Sequence, residues 1–207
     1  MQIQVFSDVV CPWCFIGLVR LDRALADLAI DATVVYRPFM IAPDTPPEGF
    51  NVAEDLRRKY GADPRKLWDR AEAEARASGL ELDLARQAMS YPTDAAHTLI
   101  RHAQAKGTQR GLVRALFDTY FQEARDISSP DVLVPLAVGH GFTAEEAILL
   151  VNDPAERLAT RRAVQEAYAL GVRGAPTYVF DEAAAFSGAQ PELVFREVLE
   201  DLRSGKT

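Results

Sequence analysis

Strand-like sequence occupies only the two ends of this chain, and residues 51–170 between them are almost entirely helical in composition. Strands so far apart can share one sheet only if the helical stretch is looped out as an insertion. At the front end, Ile3, Val5 and Val9-Val10 flank a short run that ends at Ser7-Asp8. Helical spacing follows, with Phe15, Leu18, Val19, Leu25 and Leu28 recurring at three, four and seven. The stretch Ala32–Ile41 is rich in β-branched and aromatic residues and reads as a second strand. Two strands joined by a helix of this length pair in parallel, with a right-handed crossover.

Pro43, Pro46, Pro47 and Gly49 end that pattern. The spacing then predicts helices over 52–60, 64–78, 93–106, 110–124, 130–140, 143–151 and 154–170. Leu112, Leu116 and Tyr120 form one helical row beside Val113, Phe117 and Phe121, all read as core. Strand character returns at Thr177–Phe180 and Ala184–Ser187, a predicted hairpin around Asp181-Glu182. A last helix runs from about Pro191 to Arg203. The expected class is α/β: β-α-β, a long helical insert, then β-β-α.

Composition narrows the function. The 207 residues carry 23 Lys+Arg against 30 Asp+Glu, a net charge of −7, without a basic block. That leaves no electrostatic footprint for nucleic acid. Hydrophobic residues at 48% exclude a disordered chain. No apolar run reaches the roughly 18 residues needed to span a membrane. The front end, Met-Gln-Ile-Gln-Val, has no basic region or apolar core of a signal peptide, so the expectation is a cytoplasmic protein.

The two cysteines stand together in Cys11-Pro12-Trp13-Cys14, after a strand and at the start of a helix. Cys11 falls at or near the N-cap and Pro12 at the first helical position. Unpaired backbone N–H groups and the helix dipole favour a thiolate there. Cys14, one turn on, is within disulfide reach. Three readings compete. A structural disulfide closes too short a loop to constrain the unfolded chain much. A zinc site completed by His97 and His102 needs two residues five apart on one helix face, which a straight helix does not supply. Thiol chemistry, with Cys11 as nucleophile and Cys14 as resolving thiol, is favoured.

The sequence resembles the DsbA-like thiol–disulfide oxidoreductases, in particular the cytoplasmic FrnE-like branch. The resemblance rests on Ser7-Asp8-Val-Val-Cys11-Pro-Trp-Cys14-Phe-Ile-Gly17, Arg37-Pro38-Phe39, Ala96-His97 and Leu116–Phe121. It continues through Asp126-Ile127-Ser128, Gly171-Val-Arg-Gly174-Ala-Pro176-Thr and Ser187–Pro191. It implies a thioredoxin fold made of residues 1–43 and 171–207, interrupted by an α-helical domain at 44–170. It also implies that Pro176 is cis and faces the cysteines, leaving the backbone of Ala175 to pair with an extended peptide or glutathione. A trans proline opening a strand is the plainer alternative. Four positions depart from the family pattern: Ala175 where Val is usual, Pro92 and Thr98 around the Ala-His motif, and Met40 where an acid is common.

The expected function is dithiol–disulfide exchange, catalysed by Cys11 and Cys14, with Pro12, Trp13, Ala175 and Pro176 contacting substrate. No bound cofactor or metal is called for, and glutathione or another thiol pool serves as co-substrate. The expected partners are protein, peptide or small-molecule thiols and disulfides, with neither nucleic acid nor membrane. The rival is a glutathione-dependent isomerase or transferase of the kappa-class or hydroxychromene-carboxylate isomerase type, which typically has Ser at the first active-site position. Asp8 is read as capping the strand-to-helix turn, with a proton relay to Cys14 as the alternative. His97 is read as a packing histidine with its hydrogen bonds satisfied, and Ser128-Ser129-Pro130 as a helix start.

Overall fold

The computed structural model describes residues 1–206; the final residue of the expected 171–207 segment lies outside them. The chain opens with β1 (Gln2–Ser7), α1 (Pro12–Asp27) and β2 (Thr33–Pro38). The insert follows as β3 (Phe50–Asn51), α2 (Val52–Tyr60), α3 (Pro64–Ala77), β4 (Met89–Ser90), α4 (Asp94–Ala105), α5 (Gln109–Phe117) and a π-helical turn (Asp118–Gln122). It continues with α6 (Pro130–Val138), α7 (Ala144–Asn152) and α8 (Pro154–Ala169). The chain then returns as β5 (Thr177–Phe180), β6 (Ala184–Ser187) and α9 (Glu192–Ser204).

The main sheet has the order β2-β1-β5-β6. β2 runs parallel to β1, and β5 antiparallel to it, with Ile3 opposite Phe180 and Phe6 opposite Thr177. This is the thioredoxin fold with a helical insertion. The register brings the start of β5 beside the end of β1, so the residues before Thr177 lie next to those that lead into α1.

Alternation assigns the faces. Ile3 and Val5 of β1 join Tyr178 and Phe180 of β5 under α1 and α9, where Phe15, Leu18, Phe195 and Leu199 are fully buried. Phe6 points the other way, into a smaller cluster with Phe39, Ala167 and Val172 beneath the end of α8. Each such large apolar side chain contributes about 1.5–3 kcal/mol on burial. The larger cluster runs on without a break into the insert, through Leu99, Leu112, Leu116 and Phe117.

Two polar clamps tie insert to sheet. β2 is an edge strand, and the Gln109 side chain takes the place of a neighbouring strand there. Its Oε1 accepts from Tyr36 N–H (2.9 Å) and its Nε2 donates to Tyr36 C=O (3.0 Å). This closes part of an edge that would otherwise offer unpaired backbone groups. Arg20, buried in α1, donates to Ser78 Oγ (2.8 Å), Glu74 Oε2 (2.5 Å) and the carbonyls of Ala189 (2.6 Å) and Gln190 (3.1 Å). One guanidinium thus holds three segments far apart in the chain.

The structure differs from the sequence reading in three places. The second strand stops at Pro38 instead of Ile41, because the Ile41 N–H is taken by Asp8 Oδ2 (2.8 Å). The helix expected over 110–124 ends at Phe117 and widens into the π turn, where Glu123 N–H bonds Asp118 C=O (3.1 Å). The insert also contains a short antiparallel ladder, β3 with β4, too brief to leave a periodicity in sequence.

Candidate active site

Cys11 is the N-cap of α1, in extended conformation (φ −95°, ψ 113°), and Pro12 opens the helix. No side chain caps the first turn, so its free N–H groups and the dipole are left to act on the Cys11 sulfur. The turn is closed by backbone: Cys11 N–H donates to Asp8 C=O (3.1 Å), and Cys11 C=O accepts from Cys14 N–H (3.0 Å). Both cysteines are free thiols and both are buried. Burial pushes the Cys14 thiol well above its ordinary range, and the adjacent Cys11 and the Asp8 charge act in the same direction. Cys14 is therefore held protonated at neutral pH.

The β1–β5 register completes the site. Cys11 Sγ lies 3.8 Å from the carbonyl oxygen of Ala175, and the Ala175–Pro176 peptide is cis. Pro176 is buried, whereas Ala175 is half-buried. Of the sequence-predicted set, Cys11, Cys14, Ala175 and Pro176 thus converge. Pro12 and Trp13 are half-buried on the helix side. Trp13 carries the Arg70 guanidinium of α3 over its ring, at 5.6 Å from the centroid.

Gly17, one turn beyond Cys14, permits this approach. A Cβ there would run into the Tyr178 hydroxyl and come within 3.4 Å of Pro176 Cγ. Gly17→Ala should therefore destabilise the fold by about 1–3 kcal/mol through overpacking, read as a lower urea midpoint. It should also slow reaction at Cys11, because relief requires α1 to move away from the Pro176 strand. Wild-type stability in this variant would mean that the helix and strand have slack between them.

Asp8 corrects the expectation of a helix cap. Its carboxylate is buried and reaches across the site, with Oδ2 accepting from Ile41 N–H and Oδ1 lying 3.2 Å from His97 Nε2 of α4. His97 is likewise only half satisfied, since its buried Nδ1 has no hydrogen-bond partner. The sequence reading took Asp8 and His97 one at a time. Their pairing across 89 residues has no local signal. Arg70 was missed altogether, as an ordinary charged residue on a polar helix.

Other candidates lie elsewhere. His102 pairs with Glu156 (2.8 Å), and among the described residues no three His, Cys, Asp or Glu side chains are grouped to hold a metal. Thr98 is buried and hydrogen-bonds Thr160 (2.8 Å). Ser129 is the N-cap of α6. A cavity of about 400 Å³ opens between the far face of β1–β2 and helices α4 and α8, lined by Gln4, Arg37, Arg101 and Leu170, and neither cysteine reaches it. Among the described residues no helix is long and apolar enough to cross a membrane.

Comparison with known proteins bears on the fold and the family. A probable DsbA oxidoreductase of Streptomyces coelicolor is 32% identical and superposes with a TM-score of 0.89, over 100% of this chain and 91% of its own. A 2-hydroxychromene-2-carboxylate isomerase (14% identical, TM-score 0.78, 100% and 98% covered) shares the fold. So does the cytosolic disulfide reductase DsbM of Pseudomonas aeruginosa, in a structure with GSH (20% identical, TM-score 0.66, 98% and 100% covered). At those identities the likeness speaks for architecture alone. The family model described as DSBA-like thioredoxin domain matches residues 2–200, nearly the whole of the chain, which therefore belongs to that family.

Proposed function

We propose that this protein is a dithiol–disulfide oxidoreductase working through Cys11 and Cys14. The observation that carries the reading is the placement of the Cys11 sulfur at an uncapped helix start, 3.8 Å from the Ala175 carbonyl. An extended substrate can lie along residue 175 with its disulfide against Cys11. Cys11, as thiolate, attacks one sulfur of the substrate disulfide; the other sulfur leaves as a thiolate and takes up a proton. Cys14 then loses its proton and attacks Cys11 Sγ, releasing the second substrate thiol and leaving the Cys11–Cys14 disulfide. Two electrons pass from the protein dithiol to the substrate. The reverse sequence oxidises a substrate dithiol.

Substrates on this reading are protein, peptide or small-molecule disulfides, with glutathione or another thiol pool as co-substrate and no bound cofactor. A cytoplasmic setting goes with it, since a catalytic cysteine pair, unlike a structural disulfide, suits a reducing compartment. The domain division at residues 43/44 and 170/171 is proposed with it: the thiols sit on the thioredoxin half, and the insert supplies the wall that carries His97 and Arg70. The isomerase shares the architecture, at a TM-score of 0.78 against 0.89 for the probable DsbA oxidoreductase, but nothing in its chemistry calls for Cys14.

Alkylation of the reduced protein as a function of pH tests the roles. Cys11, at the uncapped helix start, should account for the faster phase. Cys14 should react slowly until the pH passes the ordinary thiol range, because burial disfavours its thiolate. Cys11→Ser should abolish the fast phase; a fast phase that survives this substitution sinks the assignment. Equilibration with reduced and oxidised glutathione then gives the potential and hence the direction of the reaction.

A further inference from the structure

The acidic residues of α3 are all spoken for. Asp69 pairs with Arg65 (2.6 Å), Glu72 pairs with Arg65 and also accepts from Leu84 N–H (2.9 Å), and Glu74 pairs with Arg20 (2.5 Å). Glu74 stands four residues after Arg70, the spacing at which a helical arginine ordinarily finds its partner. With Glu74 engaged by Arg20, Arg70 has no ion pair or hydrogen bond among the described residues. Its guanidinium lies instead over the ring of Trp13, between the two cysteines in sequence. Arg70 is exposed.

We infer that Arg70 selects small disulfides that carry carboxylates on the arms flanking the sulfur. This rests on the thiol–disulfide reading above and assigns its substrate class. A disulfide engaged at Cys11 lies alongside Trp13, so the indole offers a flat apolar contact for its methylene groups. The guanidinium over that indole is then placed to meet carboxylates on the arms of the disulfide. The cation–π contact orients the guanidinium toward the ring, and its N–H groups, which no protein acceptor engages among the described residues, are open to a carboxylate. The chain as a whole is at −7 and repels anions at long range. An uncompensated cation fixed at the site offsets that repulsion for the one class of ligand whose anionic groups reach it.

Single-turnover oxidation of the reduced protein, followed by tryptophan fluorescence, tests this with three disulfides. Each run converts the protein dithiol and one disulfide into the Cys11–Cys14 disulfide and two small thiols. The probes are glutathione disulfide (anionic groups), bis(2-hydroxyethyl) disulfide (neutral) and cystamine (dicationic). Arg70→Gln should lower the second-order rate constant for glutathione disulfide roughly three- to fivefold, as expected for an exposed charge contact. It should leave the neutral disulfide unchanged and speed cystamine. Arg70→Lys should restore most of the ranking, and 0.5 M salt, a concentration of about twice-shortened Debye length, should flatten it. An equal fall with all three disulfides would reduce Arg70 to packing for Trp13 and overturn the inference, as would no change with any. A wild-type protein that reacts with none of them defeats the oxidoreductase reading itself. Reaction with the neutral disulfide but without charge ranking defeats only the selection by Arg70.

Discussion

Cys14→Ser should leave a protein that attacks a disulfide and then cannot release it. Cys14 is held by backbone one turn from Cys11, with its N–H on the Cys11 carbonyl at 3.0 Å. A thiol so placed acts at an effective concentration far above that of any free thiol. Intramolecular reactions of good geometry reach effective molarities of about 10⁵ M or more. Turnover in a disulfide-reduction assay should accordingly fall by at least about 10³-fold, while mass spectrometry finds the substrate covalently attached to Cys11. Serine is near enough in size that the buried site should still fold. A glutathione-dependent isomerase gives the opposite result. It needs one group to orient or activate the cofactor thiol, so Cys14→Ser would cost it little. Undiminished dithiol-linked turnover without Cys14 would remove the basis of the proposed mechanism, and isomerisation in a wild type devoid of reductase activity would put the rival in its place.

Phe117→Ala should be the most destabilising single truncation in the insert. Phe117 of α5 is fully buried and stacks on Phe15 of α1, with ring centroids 4.9 Å apart and planes 3° from parallel. Phe121 from the π turn stacks on the other two at 6.0 Å and 6.3 Å. Deleting a buried ring from such a cluster costs about 3–5 kcal/mol through lost contacts and the cavity left behind. In a protein of this size the melting temperature should drop by about 10 °C or more. Since Phe15 follows Cys14 directly, looser packing there also reaches the thiols. The loss should appear in one cooperative transition, because the buried cluster runs unbroken from the sheet into the insert. Two separate transitions would show that the insert keeps its own stability.

Much of the architecture was legible because it is written in short-range patterns. The alternation in β1, the three-and-four spacing in α1 and the β-branched run of β2 each report one element's period. Proline and glycine marked the boundaries of the insert's helices within a few residues. The widening at Asp118–Gln122 escaped because the rows through Leu116, Tyr120 and Phe121 keep their hydrophobic spacing across it. Periodicity records which side chains are apolar, not which carbonyl each N–H chooses. The end of β2 was misplaced for a related reason: whether Ile41 continues a strand depends on a carboxylate 33 residues earlier.

The nucleophile and its neighbours divide in the same way. Adjacent residues determine that Cys11 stands at a helix start and Cys14 one turn behind it, since Pro12 and the preceding strand suffice to set that local geometry. The sequence by itself thus determined the thiol pair, its helix and the strand–helix–strand frame. Tertiary structure alone decided what faces that pair. Ala175 reaches Cys11 through an antiparallel register spanning 164 residues, His97 meets Asp8 across 89, and Arg70 lies over Trp13 while Glu74 pairs with Arg20. Each of these contacts is a competition among partners brought together only when the core closes. Local sequence lists the competitors, and burial and distance select among them.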